Sequence, residues 1–268
     1  MKRLFVLLIA ILTVCNLALA QELEENTILN DVFEQHKATG TLVIYDVKNN
    51  KYFVHNTARA KQEFYPASSF KIFNSLIGLE YGAVKNVDEV FYHYHGEKVF
   101  LDSWKADSNL RYAIKVSQVP AYQLLAHKIG MGNMKEGLAK LNYGNQEIGD
   151  KLDEFWLAGP LKISALQQAD LLTKLAQNKL PFAVENQKQV ADITVLSVNE
   201  QYVLHGKTGW ATDNLPVQIG WFVGWLQTND NIYSFAANID INNPDKDLPL
   251  RQDIVLAGMQ SLKIIDKI

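Results

Sequence analysis

The stretch Pro66-Ala67-Ser68-Ser69-Phe70-Lys71 places a serine and a lysine three positions apart, at the start of an apolar run that continues to Leu79. In a helix, this spacing puts the hydroxyl of Ser68 and the amine of Lys71 on the same face. A serine hydroxyl becomes nucleophilic when a neighbouring group removes its proton, and an amine one turn away is placed to do so. Because a chain of this length contains about one S-x-x-K by chance, the hypothesis of a reactive serine needs support from elsewhere in the sequence.

Lys71 is an exception within its own segment. The residues from Phe70 to Leu79 are apolar on nearly every side, which is typical of a helix buried at the centre of a protein. Burial lowers the pKa of a lysine from its usual value of about 10.4, and only the neutral amine can act as a base. The alternative is that the side chain extends along the helix until its ammonium group reaches solvent.

The N-terminus has the pattern of a secretion signal. Lys2 and Arg3 precede an apolar run from Leu4 to Val14, and small residues follow at Ala18-Leu19-Ala20. The apolar run is shorter than the ~18 residues that a membrane-spanning helix needs, which disfavours the alternative of an N-terminal anchor. The sequence therefore predicts a signal peptide over residues 1–20 and a secreted, periplasmic protein.

The predicted mature chain, residues 21–268, has the size of one large domain or two closely packed ones. Its formal net charge is −5, because the loss of Lys2 and Arg3 changes the −3 of the whole chain, and this charge disfavours nucleic acid as a partner. The single cysteine, Cys15, lies in the signal, so a mature thiol nucleophile or disulfide is not expected. Lipid attachment to Cys15 stays open, as does the choice between monomer and homodimer. We expect no membrane span in the mature chain.

Strand patterns lie at both ends of the mature chain, and helical patterns lie between them. Helical periodicity extends from about residue 70 to 195 and is clearest over Ala165–Gln177, and a final helix is expected after Pro249. These patterns predict an α+β fold, with an antiparallel sheet from about residues 21–65 and 196–268, flanked by terminal helices, and an inserted helical region over about 66–195. The predicted strands are Thr41–Tyr45, Tyr52–His55, Gln201–His205, Ile219–Leu226 and Ile232–Ile241.

Two further motifs support a reactive Ser68. Lys207-Thr208-Gly209 follows a predicted strand, and S-x-x-K occurs together with K-T-G and S-D-N in class A β-lactamases and penicillin-binding proteins. The middle motif differs in this chain, because Ser117-Gln118-Val119 keeps the serine and replaces the final amide with a branched hydrocarbon.

With Tyr143-Gly144-Asn145 and Phe155-Trp156-Leu157 in the same order, the chain resembles the class D, oxacillinase-type serine β-lactamases along nearly its whole mature length. Two residues depart from the family pattern: Ser69 replaces a threonine, and His205 replaces an aromatic residue. The resemblance implies the fold shared by penicillin-binding proteins and β-lactamases. It also implies hydrolysis of β-lactam antibiotics through an acyl-serine intermediate, and hence antibiotic resistance.

The resemblance assigns roles to four catalytic residues. Ser68 would attack the lactam carbonyl, and Lys71 would carry a carboxyl group taken from carbon dioxide or bicarbonate, which makes it N6-carboxylysine. A buried neutral amine is nucleophilic towards carbon dioxide, and the apolar Val119 disfavours its ammonium form. Trp156 would donate its indole N–H to the carbamate, unless it is an ordinary core tryptophan. Ser117 would pass a proton to the departing ring nitrogen.

A second set of residues would bind the substrate. Lys207, Thr208 and Gly209 would face its carboxylate from a strand edge, and the backbone N–H groups of Ser68 and Trp210 would form an oxyanion hole. Arg251 would complete the recognition of the carboxylate, although a solvated surface arginine is the common alternative. No metal or other cofactor is implied. Trp104 and the segment from Trp210 to Val217 would shape the substrate range.

Two other functions remain open from the sequence. His93-Tyr94-His95-Gly96-Glu97 resembles the H-x-H-x-D ligands of zinc hydrolases, although no second histidine cluster follows it. The stronger alternative is a penicillin-binding or β-lactam-sensing module, in which Ser68 would be acylated without turnover.

Overall fold

A six-stranded antiparallel sheet forms the framework of the computed structural model, which describes residues 23–213 and 215–266. The strand order is β2-β1-β8-β7-β6-β5, so strands from the two ends of the chain meet at the centre, where β1 pairs with β8. A separate pair, β3 and β4, lies in the inserted region. The strands are β1 (Gly40–Asp46), β2 (Lys51–His55), β3 (Glu63–Phe64), β4 (Ile163–Ser164), β5 (Val195–Val198), β6 (Tyr202–Ala211), β7 (Gln218–Thr228) and β8 (Ile232–Ile241).

The helices cover both faces of the sheet. Helices α1 and α9 pack together on one face, and α7 packs against β8 and β1 on the other, where the remaining helices extend the core. Within the described residues these helices are α1 (Thr27–His36), α2 (Thr57–Lys61), α3 (Lys71–Glu80), α4 (Leu110–Lys115), α5 (Val119–Ile129), α6 (Met131–Leu141), α7 (Ala165–Ala176), α8 (Val184–Ile193) and α9 (Pro244–Ser261).

The predicted α+β architecture is confirmed. All five predicted strands are present, and Ile232–Ile241 has the predicted bounds. Strand β6 is longer than expected, since it pairs with β7 from Tyr202 to Ala211. Lys207-Thr208-Gly209 therefore lies inside a strand and not at its end. Its backbone is held along its length by the neighbouring strand, which makes it a rigid support for a binding site.

The predicted start of the last helix is wrong. Helix α9 begins at Pro244, and Pro249 lies inside it, in the second turn. The side chain of Asp247 accepts the N–H groups of Asn242 and Asn243, at 2.8 and 2.7 Å, and so stabilises the earlier start. Pro244 suits the first position of a helix, whereas Pro249 has no backbone N–H and leaves one hydrogen bond of the second turn unmade. Arg251 consequently lies two turns into the helix and not at its N-terminus.

The predicted signal peptide over residues 1–20 lies outside the described residues. In residues 23–213 and 215–266, none of the helices combines the length and the apolar character that crossing a bilayer requires.

Candidate active site

Ser68 lies in a short turn that joins β3 to the central helix. The prediction of a serine inside the α-helix needs correction, because Ala67–Phe70 is a 3-10 helix and α3 begins at Lys71. Ala67 adopts the left-handed backbone region, with φ 47°, which costs energy for a residue with a side chain. Its N–H donates to the carbonyl of Trp156 at 2.9 Å, and the hydroxyl of Ser69 donates to the carbonyl of Pro66 at 2.7 Å. These bonds hold the turn in shape.

Lys71 is completely buried directly beneath Ser68. Its Nζ donates to the Ser68 Oγ at 2.7 Å, and it lies 5.3 Å from the centroid of the buried Tyr122 ring. Burial, and next the positive charge of Lys207, hold the pKa of Lys71 well below its usual range. Its side chain does not reach solvent, and no carboxylate in the described part of the chain pairs with it. The geometry thus places a buried amine of lowered pKa next to a serine hydroxyl.

Strand β6 forms the opposite wall and crosses close to the turn. A side chain at Gly209 would lie 3.0 Å from the Pro66 carbonyl and 3.1 Å from the Ser69 nitrogen, so glycine permits this approach. The N–H of Gly206 donates to the backbone carbonyl of Thr194 at 2.9 Å, and it therefore points to the side of β6 that faces away from β7. Because backbone groups alternate along a strand, the N–H groups of Thr208 and Trp210 point to that same side, towards the cleft.

Two further cations lie on this wall. Lys207 is 6% exposed, and its Nζ donates to the backbone oxygen of Thr208 at 2.9 Å. Burial, together with the charge of Arg251, lowers the pKa of Lys207 to about 7. The guanidinium group of Arg251 donates to the backbone carbonyls of Gly209 at 2.8 Å and Leu248 at 2.6 Å. Burial lowers the pKa of Arg251 to about 10. A methyl group at Gly220 would lie 2.7 Å from the Cδ of Arg251, so this glycine makes room for the arginine.

The third wall comes from the connection between α4 and α5. Ser117 adopts the left-handed region with φ 55°, and Val119 begins α5 with Pro120 behind it. The buried Gln118 donates to the carbonyl oxygen of Trp104 at 2.8 Å and thereby fixes the Trp104 loop. Ser117 faces the same cavity as Ser68, but within residues 23–213 and 215–266 its hydroxyl makes no hydrogen bond to Lys71 or Lys207.

Trp156 lies in the loop that closes the site behind Ser68. It is fully buried, and its ring packs against those of Phe70 and Phe155, with centroids 5.9 and 5.0 Å apart. Its backbone carbonyl holds the Ser68 turn, as described above. Its indole Nε1 is buried and has no hydrogen-bond partner among the described residues. A buried donor without an acceptor is costly, so an acceptor brought next to this nitrogen would be stabilised.

The walls enclose a cavity of about 420 Å³. It brings together most of the residues that the sequence singles out, and Lys71, Trp156 and Lys207 lie in its walls without facing it directly. Residues lining the cavity are Ser68, Phe100, Leu101, Trp104, Ser117, Val119, Leu157, Thr208, Gly209, Trp210, Thr212, Asp213 and Arg251.

Sequence reasoning missed several residues that shape the site. Gln168 of α7 donates to the Ser69 hydroxyl at 2.9 Å, across a separation of 99 residues. It lies on the buried face of α7, so a polar residue among apolar ones was the available signal. Phe100 is 77% exposed and lines the cavity, and its ring lies 6.2 Å from that of Trp104. An exposed phenylalanine has no sequence signal of its own.

Tyr143-Gly144-Asn145 and His205 do not line this cavity. A side chain at Gly144 would lie 1.8 Å from the Lys162 carbonyl, while Asn145 donates to Pro160 at 2.8 Å, so this motif holds the Trp156 loop. His205 stacks on Trp225, with ring centroids 4.3 Å apart. It lines neither this cavity nor a second cavity, which lies beside the first along β6 and is lined by Lys207 and Thr208.

The histidines of the zinc-hydrolase pattern do not converge on a common point. His93 contacts Asp107 at 2.8 Å. Within the part of the chain that the structure describes, no group of three histidine, cysteine, aspartate or glutamate side chains could hold a metal ion.

Comparison with known proteins places this site in a class. The sequence model of the penicillin binding protein transpeptidase domain matches residues 40–260, which contain all the walls of the cleft. Fold and site together define a member of the serine enzymes and receptors that share this domain.

Relatives narrow the class to a family. β-Lactamase OXA-48 of Klebsiella pneumoniae is 40% identical over 248 residues, covering 92% of each chain, and OXA-10 of Pseudomonas aeruginosa is 40% identical over 251 residues, covering 92% of this chain and 93% of its own. The crystal structure of FUS-1 (OXA-85), a class D β-lactamase from Fusobacterium nucleatum subsp. polymorphum, is 60% identical. It superposes with a TM-score of 0.89 over 91% of this chain and 100% of that one. The chain belongs to the class D β-lactamases.

Proposed function

We propose that this chain hydrolyses β-lactams through an ester on Ser68, with Lys71 acting in a carbamylated form. The observation that carries the proposal is the 2.7 Å contact between a wholly buried Lys71 amine and the Ser68 hydroxyl. Membership of the class D β-lactamases favours turnover over the alternative of a sensor that is acylated without release. Such an activity, in a protein secreted to the periplasm, would confer antibiotic resistance.

Lys71 would obtain its carboxyl group by direct attack of its neutral amine on carbon dioxide. A new N–C bond forms and one proton leaves, so a buried neutral amine becomes an anionic carbamate. The burial that lowers the pKa of Lys71 favours this reactive neutral form over the ammonium form. The partnerless Nε1 of Trp156 fits this modification, because a carbamate oxygen would give that buried donor an acceptor.

Acylation would begin when carbamylated Lys71 takes the Ser68 proton and the Ser68 oxygen attacks the lactam carbonyl. The C–N bond of the ring then breaks. The Ser117 hydroxyl, which would reach Lys71 and Lys207 when substrate fills the cavity, would give its proton to the departing nitrogen. It would receive in exchange the proton that Lys71 took from Ser68, so the carbamate is again free to act as a base. In the second half-reaction, carbamylated Lys71 would take a proton from water, which attacks the ester and releases a carboxylic acid.

The sheet wall would hold the substrate for these steps. The N–H of Trp210, which points to the cleft, would form the oxyanion hole with the N–H of Ser68, and each such donor typically contributes about 10²–10³ in rate. Thr208 and the cations Lys207 and Arg251 would bind the substrate carboxylate. Gly209 lets the strand approach the turn, while Val119 supplies an apolar surface beside Ser68.

The test is hydrolysis of a chromogenic cephalosporin, assayed with and without bicarbonate below about pH 6, where carbamates are lost. We expect activity to fall when carbon dioxide is removed and to recover with bicarbonate. Trp156→Phe keeps the ring and removes the buried N–H, so it should need about tenfold more bicarbonate for half-maximal activity. Trp225→Phe, a buried tryptophan that lines neither cavity, is the matched control and should behave as the native chain.

Two results would count against parts of the proposal. Bicarbonate insensitivity, together with the absence of a lysine carbamate signal in carbon-13 spectra, would remove the modified lysine from the mechanism. A burst of one equivalent of product without further turnover would identify the chain as a β-lactam sensor.

A further inference from the structure

A second cavity adjoins the active site along the edge of β6. Its volume is about 480 Å³, and Lys207 and Thr208 line it. Thr208 also lines the cavity that contains Ser68, so the two spaces meet at this residue. We call this second space the flanking cavity; Ile114, Lys115, Asp192 and Leu196 form its outer part.

The position of a bound β-lactam would be set by two points of the proposed site, with its carbonyl at Ser68 and its carboxylate at Thr208 and Arg251. Thr208 lines both cavities, so the carboxylate would lie where the two spaces meet. The ring carbon next to the carboxylate-bearing carbon is one bond further on, and its substituent would therefore be within reach of the flanking cavity. Penicillins carry only methyl groups on that carbon. Cephalosporins carry their variable ring substituent there.

The charges around the flanking cavity are uneven. Arg111 contacts Asp88 at 2.8 Å and Asp192 at 2.7 Å, so two carboxylates more than neutralise its guanidinium group. Lys115 is exposed in the last turn of α4, and its ammonium has no ion-pair partner among residues 23–213 and 215–266. It is therefore the one cation of the outer part that is free to turn towards a ligand. Ile114 and Leu196 supply apolar surface beside it.

We infer that the flanking cavity binds the ring substituent of cephalosporins and that Lys115 favours substituents that carry an anion. The inference rests on the proposed function, because that function sets the position of the substrate. Lys115 acts here as a specificity residue and takes no part in the chemical steps.

The test compares two cephalosporins with the same acylamino side chain. One carries a methyl group at the variable ring position, the other a carboxylate-bearing substituent, and benzylpenicillin serves as the substrate without such a group. In Lys115→Glu, we expect KM for the anionic cephalosporin to rise about five- to tenfold, and KM for the other two substrates to change less than about twofold. Lys115→Gln should give an intermediate rise of about threefold for the anionic compound alone.

Lys128→Glu is the control for net charge, since Lys128 is an exposed lysine in the last turn of α5 and lines neither cavity. An equal rise in KM for all three substrates of Lys115→Glu would overturn the inference, as would an equal effect of Lys128→Glu on the anionic compound. The same comparison is made for acylation, by competition with a fluorescent penicillin. If the chain is acylated without turnover, the proposed hydrolysis fails while the competition assay still decides the role of Lys115.

Discussion

Two of the three walls of the cleft each bury a lysine: the helical wall, formed by the Ser68 turn and α3, and the sheet wall, formed by β6. The surroundings of the two lysines differ. On the helical wall, Lys71 is completely buried, and its amine contacts the Ser68 hydroxyl and the Tyr122 ring. On the sheet wall, Lys207 lies at a strand edge next to Arg251 and contacts Thr208. Neither lysine has a carboxylate partner in the described residues. An unpaired buried charge is costly, so both pKa values are lowered.

The difference indicates how each wall would acquire its missing anion. The edge of β6 is open to the cavity, so a substrate carboxylate can reach Lys207 and Arg251 and leave again with the product. Lys71 is closed off behind Ser68, so its anion has to be small on entry and covalently held. Carbon dioxide meets both conditions. The helical wall would therefore hold a permanent anionic base, while the sheet wall would receive its anion only when substrate binds.

The largest expected effect comes from removing the lysine of the helical wall. Lys71→Met keeps an unbranched side chain that is one atom shorter and removes both the amine and the carbamate. We expect the hydrolysis rate to fall at least about 10³-fold, with acylation abolished or the acylated protein trapped, as measured by steady-state assays and intact-protein mass. Thermal unfolding should show a Tm higher by a few degrees, since an unpaired buried amine is replaced by a hydrocarbon.

Its control is Lys162→Met, because Lys162 is an exposed lysine whose loss should leave both rate and Tm nearly unchanged. A fall in Tm by several degrees for Lys71→Met would contradict the expectation that the buried amine of Lys71 lowers the stability of the folded protein.

The framework of both walls was predictable from the sequence, because it depends on local patterns. The strand-forming residues of Ile232–Ile241 and the apolar run after Phe70 each indicate one buried element. The order of the motifs then brought Ser68 and Lys207 together in the family resemblance. What could not be predicted depends on contacts between distant segments. Gln168 is visible in the sequence as a polar residue on an apolar helix face, but its partner Ser69 is 99 residues away and cannot be read from that pattern. The support that Asp247 gives to the start of α9 has no periodic pattern either.

The intermediate effect concerns the charge of the sheet wall. With its pKa at about 7 in the free protein, Lys207 loses its proton as pH rises through neutrality, whereas Arg251, at about 10, stays charged. A substrate carboxylate binds the protonated form better, so KM for a penicillin should rise about tenfold between roughly pH 6 and pH 8.5. Bound anion raises the pKa of Lys207, so kcat should change less over this range. Initial-rate measurements across pH give both parameters.

A penicillin methyl ester separates this cause from others, since it has no carboxylate for Lys207 to bind. Its KM should be high and flat across the same range. A KM that rises equally for the acid and the ester would assign the pH dependence to a group other than Lys207.

The smallest expected effect tests what holds the two walls in register. Gln168 donates to Ser69, whose hydroxyl donates to the Pro66 carbonyl, and that carbonyl lies against Gly209 of the sheet wall. Gln168→Met keeps the volume and removes one buried hydrogen bond, worth about 1 kcal/mol. Because the turn rather than the binding surface is loosened, kcat should fall about threefold with KM unchanged. Gln260→Met, a half-buried glutamine of α9, is the matched control for kcat. If Gln168→Met lowers Tm but leaves kcat at the native value, Gln168 stabilises the core without positioning Ser68. The two walls then keep their register through other contacts, among them the close approach at Gly209 and the bond from Trp221 Nε1 to the Tyr65 carbonyl at 2.8 Å.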